Sequence, residues 1–381
     1  MNFYAPLLRS VFCINAKYLS KIDINKVKEM YMAKTGSRSF ELASKPRIVS
    51  SASYVGKKEG EGPLGDRFDV IMKDDTLGLK SWEKAESRMF ESAVRVALSK
   101  VERTSEDLDC LIGGDLLDQI VSAGFAAREI RSPFIGLYSA CSTITEALMI
   151  GGMLMDGGFI DLAACAGSSH FSSVERQYRF PLEMGVQPVP TAQRTVTGAG
   201  CMLLSREAIG ENKQKCFQNI IVSAGTMGSV EDFGITDAGN MGAAMAPAAA
   251  DTIAKHLADF GRSPCDYDRI ITGDLGVFGS DMLFELLEKR GIGIRSVHND
   301  CGKLIFGDDK SAVCGGSGCG CASVTLASHF LPLIESGKLK RILILATGAL
   351  LSPVTSMQGE SIPAIAHAVV IEHRSNGGSE R

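Results

Sequence analysis

Cys141 stands between a short apolar run, Pro133–Ser139, and an apolar stripe at positions 144, 147, 148, 154 and 155. That spacing predicts a strand, a turn and then a helix opening at the cysteine. Unpaired backbone N–H groups and the positive end of a helix favour a thiolate there. The same N–H groups can hold a carboxylate or an oxyanion. The plainer alternative is a small buried thiol chosen for packing. His298 stands as a lone histidine in His298-Asn299-Asp300, before Cys301-Gly302. An imidazole beside a thiol serves as base or ion-pair partner, or as a neutral donor to a bound carboxylate. Ser168, Ser169 and His170 directly follow an apolar run, Leu162–Gly167. Loops at the carboxyl ends of parallel strands form ligand sites, so these three are candidate donors. Arg176, with Arg179 and Arg194, adds forks that match carboxylates. Its other reading is a solvated helix face paired with Glu175 and Glu183. Asp115 follows a strand-like run and either meets a ligand or fixes a loop.

The elements that must position these residues occur twice. Cys141 and Cys321, Gly157 and Gly337, and Ala166 and Ala346 are each 180 residues apart (321 − 141, 337 − 157, 346 − 166). Leu108-Asp109-Cys110-Leu111-Ile112-Gly113-Gly114-Asp115-Leu116 is echoed by Tyr267-Asp268-Arg269-Ile270-Ile271-Thr272-Gly273-Asp274-Leu275. A repeat of this length fixes architecture before any other feature. Strand signals at 109–114, 133–139, 162–167, 269–273 and 341–347 alternate with helical stripes, one of them near 278–290. Such alternation predicts an α/β fold with mostly parallel sheets. Two halves, each with a central helix after its cysteine, predict five layers, α-β-α-β-α. The boundaries expected are an extension over 1–34, a first half over 35–215 and a second over 216–381. Cys321, set among glycines, reads as structural.

Composition narrows the function classes. The 381 residues are 45% apolar and carry a formal charge of −4, which argues against nucleic acid as the main partner. Eleven cysteines, an odd number without C-x-x-C spacing, read as reduced thiols of a cytosolic-type environment. Cys314, Cys319 and Cys321 lack zinc spacing, so no metal or cofactor is expected. No apolar run approaches the roughly 18 residues that span a bilayer. Residues 1–31 lack a signal-peptide pattern, and Met32-Ala33-Lys34 reads like a natural start.

The duplicated halves and the cysteine at a strand-to-helix turn resemble the thiolase-like superfamily. Finer motifs narrow this. Gly-Asp-Leu-Leu at 114–117, Ala-Cys-Ser-Thr at 140–143, Ser-Ser-His at 168–170 and Glu-Arg-Gln-Tyr-Arg-Phe-Pro at 175–181 resemble the stage V sporulation protein AD family. So do Ala-Met-Ala-Pro-Ala-Ala-Ala-Asp-Thr-Ile at 244–253, His-Asn-Asp-Cys-Gly at 298–302 and Ala-Thr-Gly-Ala-Leu-Leu-Ser-Pro at 346–353. The resemblance covers roughly residues 35–375. It implies a thiolase-like fold and a two-fold homodimer joined through a strand of the first half. It implies binding of dipicolinic acid (pyridine-2,6-dicarboxylate), free or as its calcium chelate. It also implies work beside spore membrane transport proteins, peripheral to the spore inner membrane, in sporulation and germination. By the same resemblance, His298 takes the place of the histidine that faces the nucleophile in condensing enzymes. One departure stands out. Ketoacyl synthases carry Asn or His in the glycine-rich loop before the second central helix, where this chain has Gly315-Gly316-Ser317-Gly318. Claisen chemistry needs two groups polarising the thioester oxygen. The expected function is therefore non-enzymatic binding, with acyl transfer through Cys141 as the alternative. Cys141, His298 and Ser168–His170 are expected to converge on one cavity.

Overall fold

Residues 33–178, 189–209 and 216–374 are described by the structure, a computed structural model. The extension over 1–32 lies outside the described residues. Strands of the first half are β1 (Arg47–Val55), β2 (Cys110–Gly114), β3 (Phe134–Gly136), β4 (Leu162–Ser169) and β5 (Gly198–Ser205). Those of the second are β6 (Ile220–Thr226), β7 (Arg269–Thr272), β8 (His298–Asp300), β9 (Arg341–Ala349) and β10 (Ala364–His373). The hydrogen-bonded order is β3-β2-β4-β5-β1 in the first half and, mirrored, β6-β10-β9-β7-β8 in the second. The halves join where β1 meets β6, at Arg47 and Ile221. In each half the same strand runs against its neighbours, β5 beside β4 and β1, and β10 beside β9 and β6. The duplication in sequence is thus a duplication of topology.

Strand alternation sorts side chains between layers. Leu111 on β2 and Leu203 on β5 face outward, onto Met89, Phe90 and Leu98 of helix α1 (Trp82–Lys100) and Ala126 of α2 (Val121–Ile130). Their neighbours Ile112 and Leu204 face inward. The second half does the same. Ile270 and Leu343 meet Ile253 of α5 (Met241–Phe260) and Leu283 of α6 (Gly276–Glu288), whereas Ile271 and Ile344 point to the centre. Between the sheets lie α3 (Thr143–Asp156) and α7 (Cys319–Thr325), whose Ile144, Leu148, Cys321 and Val324 pack against both. (α4, Phe171–Tyr178, belongs to the site described below.) The result is the five-layered α-β-α-β-α arrangement. Burying each large aliphatic chain of that central layer contributes about 1.5–3 kcal/mol.

Both repeated cysteines fall at the first turns of the central helices. Cys141 sits in a one-turn 3-10 segment, Ala140–Ser142, that leads into α3, and Cys321 is in the first turn of α7. α7 continues through a π-helical stretch, Leu326–Phe330, into Leu331–Glu335. α3 ends at Gly157, and Gly158 takes the left-handed conformation at φ +77° that its predicted stop required. The strand expected over 133–139 ends at Gly136, because Ser139 and Ala140 must turn the chain into the Cys141 segment. Every described cysteine is a free thiol, and only Cys265 is exposed. No helix among the described residues is long and apolar enough to cross a membrane.

Candidate functional site

A cavity of about 340 Å³ opens over Cys141. Its walls come from carboxyl ends of parallel strands and the turns that follow them, the usual place for α/β ligand sites. Ala140 and Cys141 follow β3, Leu116 and Asp118 follow β2, and Leu350, Leu351 and Ser352 follow β9. Val174, Glu175 and Tyr178 come from α4, while Ser317 comes from the loop before α7. The volume lies within the ordinary range for small-molecule pockets.

The cavity floor is an acid network rather than a thiol–imidazole pair. Cys141 Sγ lies 3.9 Å from Ser317 Oγ. The Ser317 hydroxyl donates to Asp274 Oδ2 at 3.0 Å, and the Gly318 N–H donates to the same oxygen at 3.0 Å. Thr347 Oγ1 donates to Asp274 Oδ1 at 2.7 Å. Asp274 is fully buried. Burial raises its carboxyl above the usual range, against the pull of the Cys141, Thr347, Gly318 and Ser317 donors. Burial, followed by the Asp274 charge, pushes the Cys141 thiol well above its ordinary value. A thiolate is the nucleophile in cysteine chemistry, and this surrounding opposes it. Gly318 explains the missing condensing-enzyme donor. Its φ is +107°, and a Cβ there would lie 2.6 Å from Ser169 Oγ, so only glycine fits.

The rim is built from three hydrogen-bonded side chains. Tyr138 donates its phenol to Asp118 Oδ1 at 2.9 Å and lies 3.1 Å from the Tyr178 oxygen. Tyr178 in turn donates to the Leu116 carbonyl at 2.6 Å. Burial, above all, pushes the Tyr138 hydroxyl up to about 12, so it stays protonated. Backbone strain gathers in the same segments. Gln119, Ile120 and Ala140 all have positive φ, at 61°, 47° and 48°. For a β-branched residue such as Ile120 this is a true outlier, and such strain concentrates at ligand clamps.

Of the candidate ligand-binding residues Cys141, Ser168, Ser169, His170, Arg176, His298 and Asp115, all of them described, only Cys141 lines this cavity. His298 sits on the edge strand β8, where Nε2 is 2.9 Å from Thr272 Oγ1 and the ring meets Phe284 edge-on at 5.0 Å. Burial, with Lys303 nearby, holds it down at about 4, hence neutral. Its neighbour Asp300 accepts N–H bonds from Leu275 at 2.8 Å and Gly276 at 3.1 Å. The His298 motif therefore buttresses the loop that carries Asp274 instead of facing the thiol. Ser168 donates to Glu86 at 3.0 Å, and Ser169 donates to the Val196 carbonyl at 2.7 Å. His170 donates from Nε2 to the Asp75 carbonyl at 2.8 Å and accepts from Ser172 N–H at 3.2 Å. All three are fully buried. β4 is covered on both faces, so its final residues point into packed layers. Asp115 accepts from Leu117 and Ala123 N–H, both at 2.7 Å, and fixes the loop after β2. Arg176 pairs with Glu83 and lies over the Trp82 ring, its centroid 5.3 Å away. It follows the helix-face reading, with a partner from α1. Arg194 covers Phe171, 3.9 Å from its centroid. Arg179, Phe180 and Glu183 lie outside the described residues.

No sequence signal marks Tyr138, Asp118, Tyr178 or the role of Ser317, and Asp274, the repeat mate of Asp115, reads from the sequence as a residue that caps a helix or fixes a loop. Asp274 had a signal in the repeated Gly-Asp-Leu, and Leu350–Ser352 had one in the Ala-Leu-Leu-Ser run. Neither said which way a side chain would point.

Comparison with known proteins places this geometry. The chain is similar in fold to human mitochondrial 3-ketoacyl-CoA thiolase in complex with CoA, with a TM-score of 0.53 and 14% identity over 88% of this chain and 99% of that one. It is also similar to OleA of Xanthomonas campestris, with a TM-score of 0.51 and 14% identity over 89% of this chain and 99% of that one. At such identities the likeness is one of fold. Stage V sporulation protein AD of Bacillus subtilis (strain 168) is 43% identical over 348 residues, covering 91% of this chain and all of the relative. The family model for stage V sporulation protein AD matches residues 36–372. The chain therefore belongs to the stage V sporulation protein AD family.

Proposed function

We propose that the protein is a non-enzymatic dipicolinate-binding protein of spore formation and germination. The observation that carries this reading is the environment of Cys141. A buried thiol beside a buried carboxylate keeps its proton, so the cavity is suited to holding a ligand rather than attacking one. The Ser352 hydroxyl offers a donor to a carboxylate. The Leu350, Leu351 and Val174 side chains offer apolar contact to a pyridine ring. The acceptor-rich rim of Asp118, Tyr138 and Tyr178 suits the calcium chelate, in which the metal offsets the ligand's charge. Its place would be beside the spore membrane transport proteins that move dipicolinate across the inner membrane.

Calorimetric titration tests this reading. Dipicolinate, free and with calcium, is expected to bind saturably, and acetyl-coenzyme A to leave no acyl mass on Cys141. His298→Ala should leave the affinity within about twofold, since the imidazole lies outside the lining. Covalent acylation at Cys141 without dipicolinate binding would replace this reading with the acyltransferase one.

The same proposal includes a homodimer. β3 pairs with β2 on one side only among the described residues, and Ile135 on it is 37% exposed. Phe125 and Tyr138 are exposed nearby in sequence. An open edge with apolar neighbours is a template for pairing with a second copy. Light scattering at micromolar concentration should give twice the monomer mass, and Ile135→Lys should give the monomer. A monomeric parent protein would contradict this arrangement.

A further inference from the structure

We infer that a second site, for a small oxyanion, lies at the seam between the two halves, centred on Arg67. A cavity of about 420 Å³ opens there, between β1 and α1 of the first half and the π-helical stretch of the second. The central helix links it to the first cavity. At one end of that helix, Cys319 Sγ donates to the Ala140 carbonyl at 2.9 Å, next to Cys141. Towards the other end, Ala327 and Ser328 of the π stretch line the second cavity. Such π segments occur frequently at functional sites, and here Ser51 Oγ holds the Ala327 carbonyl at 3.0 Å.

Charge balance separates the two cavities. In the first, the hydroxyls of Ser317, Thr195 and Tyr138 donate to carboxylates. Among the described residues the second holds two cations, Arg67 and Lys100, and one acid, Asp69. Lys100 Nζ reaches Asp69 Oδ1 at 2.5 Å and the Ser51 carbonyl at 2.6 Å. The other Asp69 oxygen accepts from Ser53 N at 2.9 Å and Ser53 Oγ at 3.2 Å. Asp69 is thereby matched by Lys100, whose third N–H remains. Arg67 has no such match among the described residues, of which the nearest carboxylate, Asp66, is 4.0 Å away with its side chain 88% exposed, where an ion pair contributes little. Its Nη1 lies against Nδ1 of His329, an imidazole that burial, then Arg67 itself, holds towards the neutral form. A guanidinium fork without a close anion among the described residues, beside a second cation, fits a carboxylate or a phosphate. Phe217 and Pro332 supply an apolar wall on which a planar carboxylate can lie.

The full chain should be titrated with inorganic phosphate and, separately, with benzoate. Saturable binding of at least one is expected, weakening with added salt. The arm that binds names the ligand class. Arg67→Ala, at an exposed position, should keep the parent's melting temperature and weaken that binding about tenfold or more. Arg67→Lys should recover only part of it, because an ammonium lacks the fork. Cys141→Phe, in the other cavity, should leave it unchanged. The inference is overturned by absence of saturable binding in both arms. Equal binding in the parent and Arg67→Ala, or loss of binding in Cys141→Phe, would overturn it as well.

Discussion

Cys141→Phe is expected to abolish saturable dipicolinate binding while the protein stays folded. The thiol is 6% exposed and lines the floor of a cavity of about 340 Å³, so a phenyl ring projects into the space a pyridine ring would take. Overpacking costs about 1–3 kcal/mol, against a usual stability of about 5–15 kcal/mol for a folded domain. The affinity loss should exceed about a hundredfold, because the ring would lose its place against Val174, Leu350 and Leu351. Leu351→Trp enters the same cavity from a half-buried rim position and should act alike with less strain. Cys141→Ser should change affinity by less than about tenfold, since a hydroxyl keeps a polar group in place. Calorimetry on the three variants, with a thermal melt as control, reads this out. Parent-like binding in both filled variants would place the ligand elsewhere.

Asp274→Asn is expected to be the most damaging single-atom change around the site. The thiol of Cys141, the hydroxyls of Ser317 and Thr347 and the N–H of Gly318 all point at this carboxylate. An amide offers one acceptor oxygen and turns two donors towards groups that already donate. Charge-assisted hydrogen bonds contribute about 1.5–3 kcal/mol each, and a buried donor left unpaired costs about 1–3 kcal/mol. A loss on the order of 3–5 kcal/mol in denaturant unfolding follows, together with at least about tenfold weaker dipicolinate binding as Ser317 and Cys141 lose their anchor. Asp118→Asn on the exposed rim should shift stability by only about 0.5 kcal/mol. Parent-like stability of Asp274→Asn would mean that Asp274 is protonated in the fold, where the amide is nearly isosteric. The Cys141 thiol would then face a neutral carboxyl rather than a buried charge.

Much of the fold was legible because its signals are local or periodic. The constant offset of 180 between Cys141 and Cys321 announced the duplication. Apolar alternation at Leu111-Ile112 and Ile270-Ile271 marks strands covered on both faces. The glycines after Asp156 marked a helix end, because a left-handed residue there favours glycine. Ser168, Ser169 and His170 were placed correctly at a strand end. Their direction was not legible, because it depends on the helices that cover β4.

The sequence by itself determined the duplicated α/β architecture, the position of Cys141 at a helix start and the lack of a polarising side chain at Gly318. These rest on period, spacing and backbone sterics within a few residues. Only the tertiary structure decided what faces the thiol. Asp274 and His298 stand on adjacent parallel strands or just beyond them, and either is near enough in the chain to have served. The register of β7 against β9 places Thr347 on Asp274, and the turn before α7 brings Ser317 and Gly318 to the same carboxylate. His298 is left at the sheet edge against Thr272 and Phe284. The contacts that settle on Asp274 and Cys141 join residues 43 to 176 positions apart, and no local pattern encodes them.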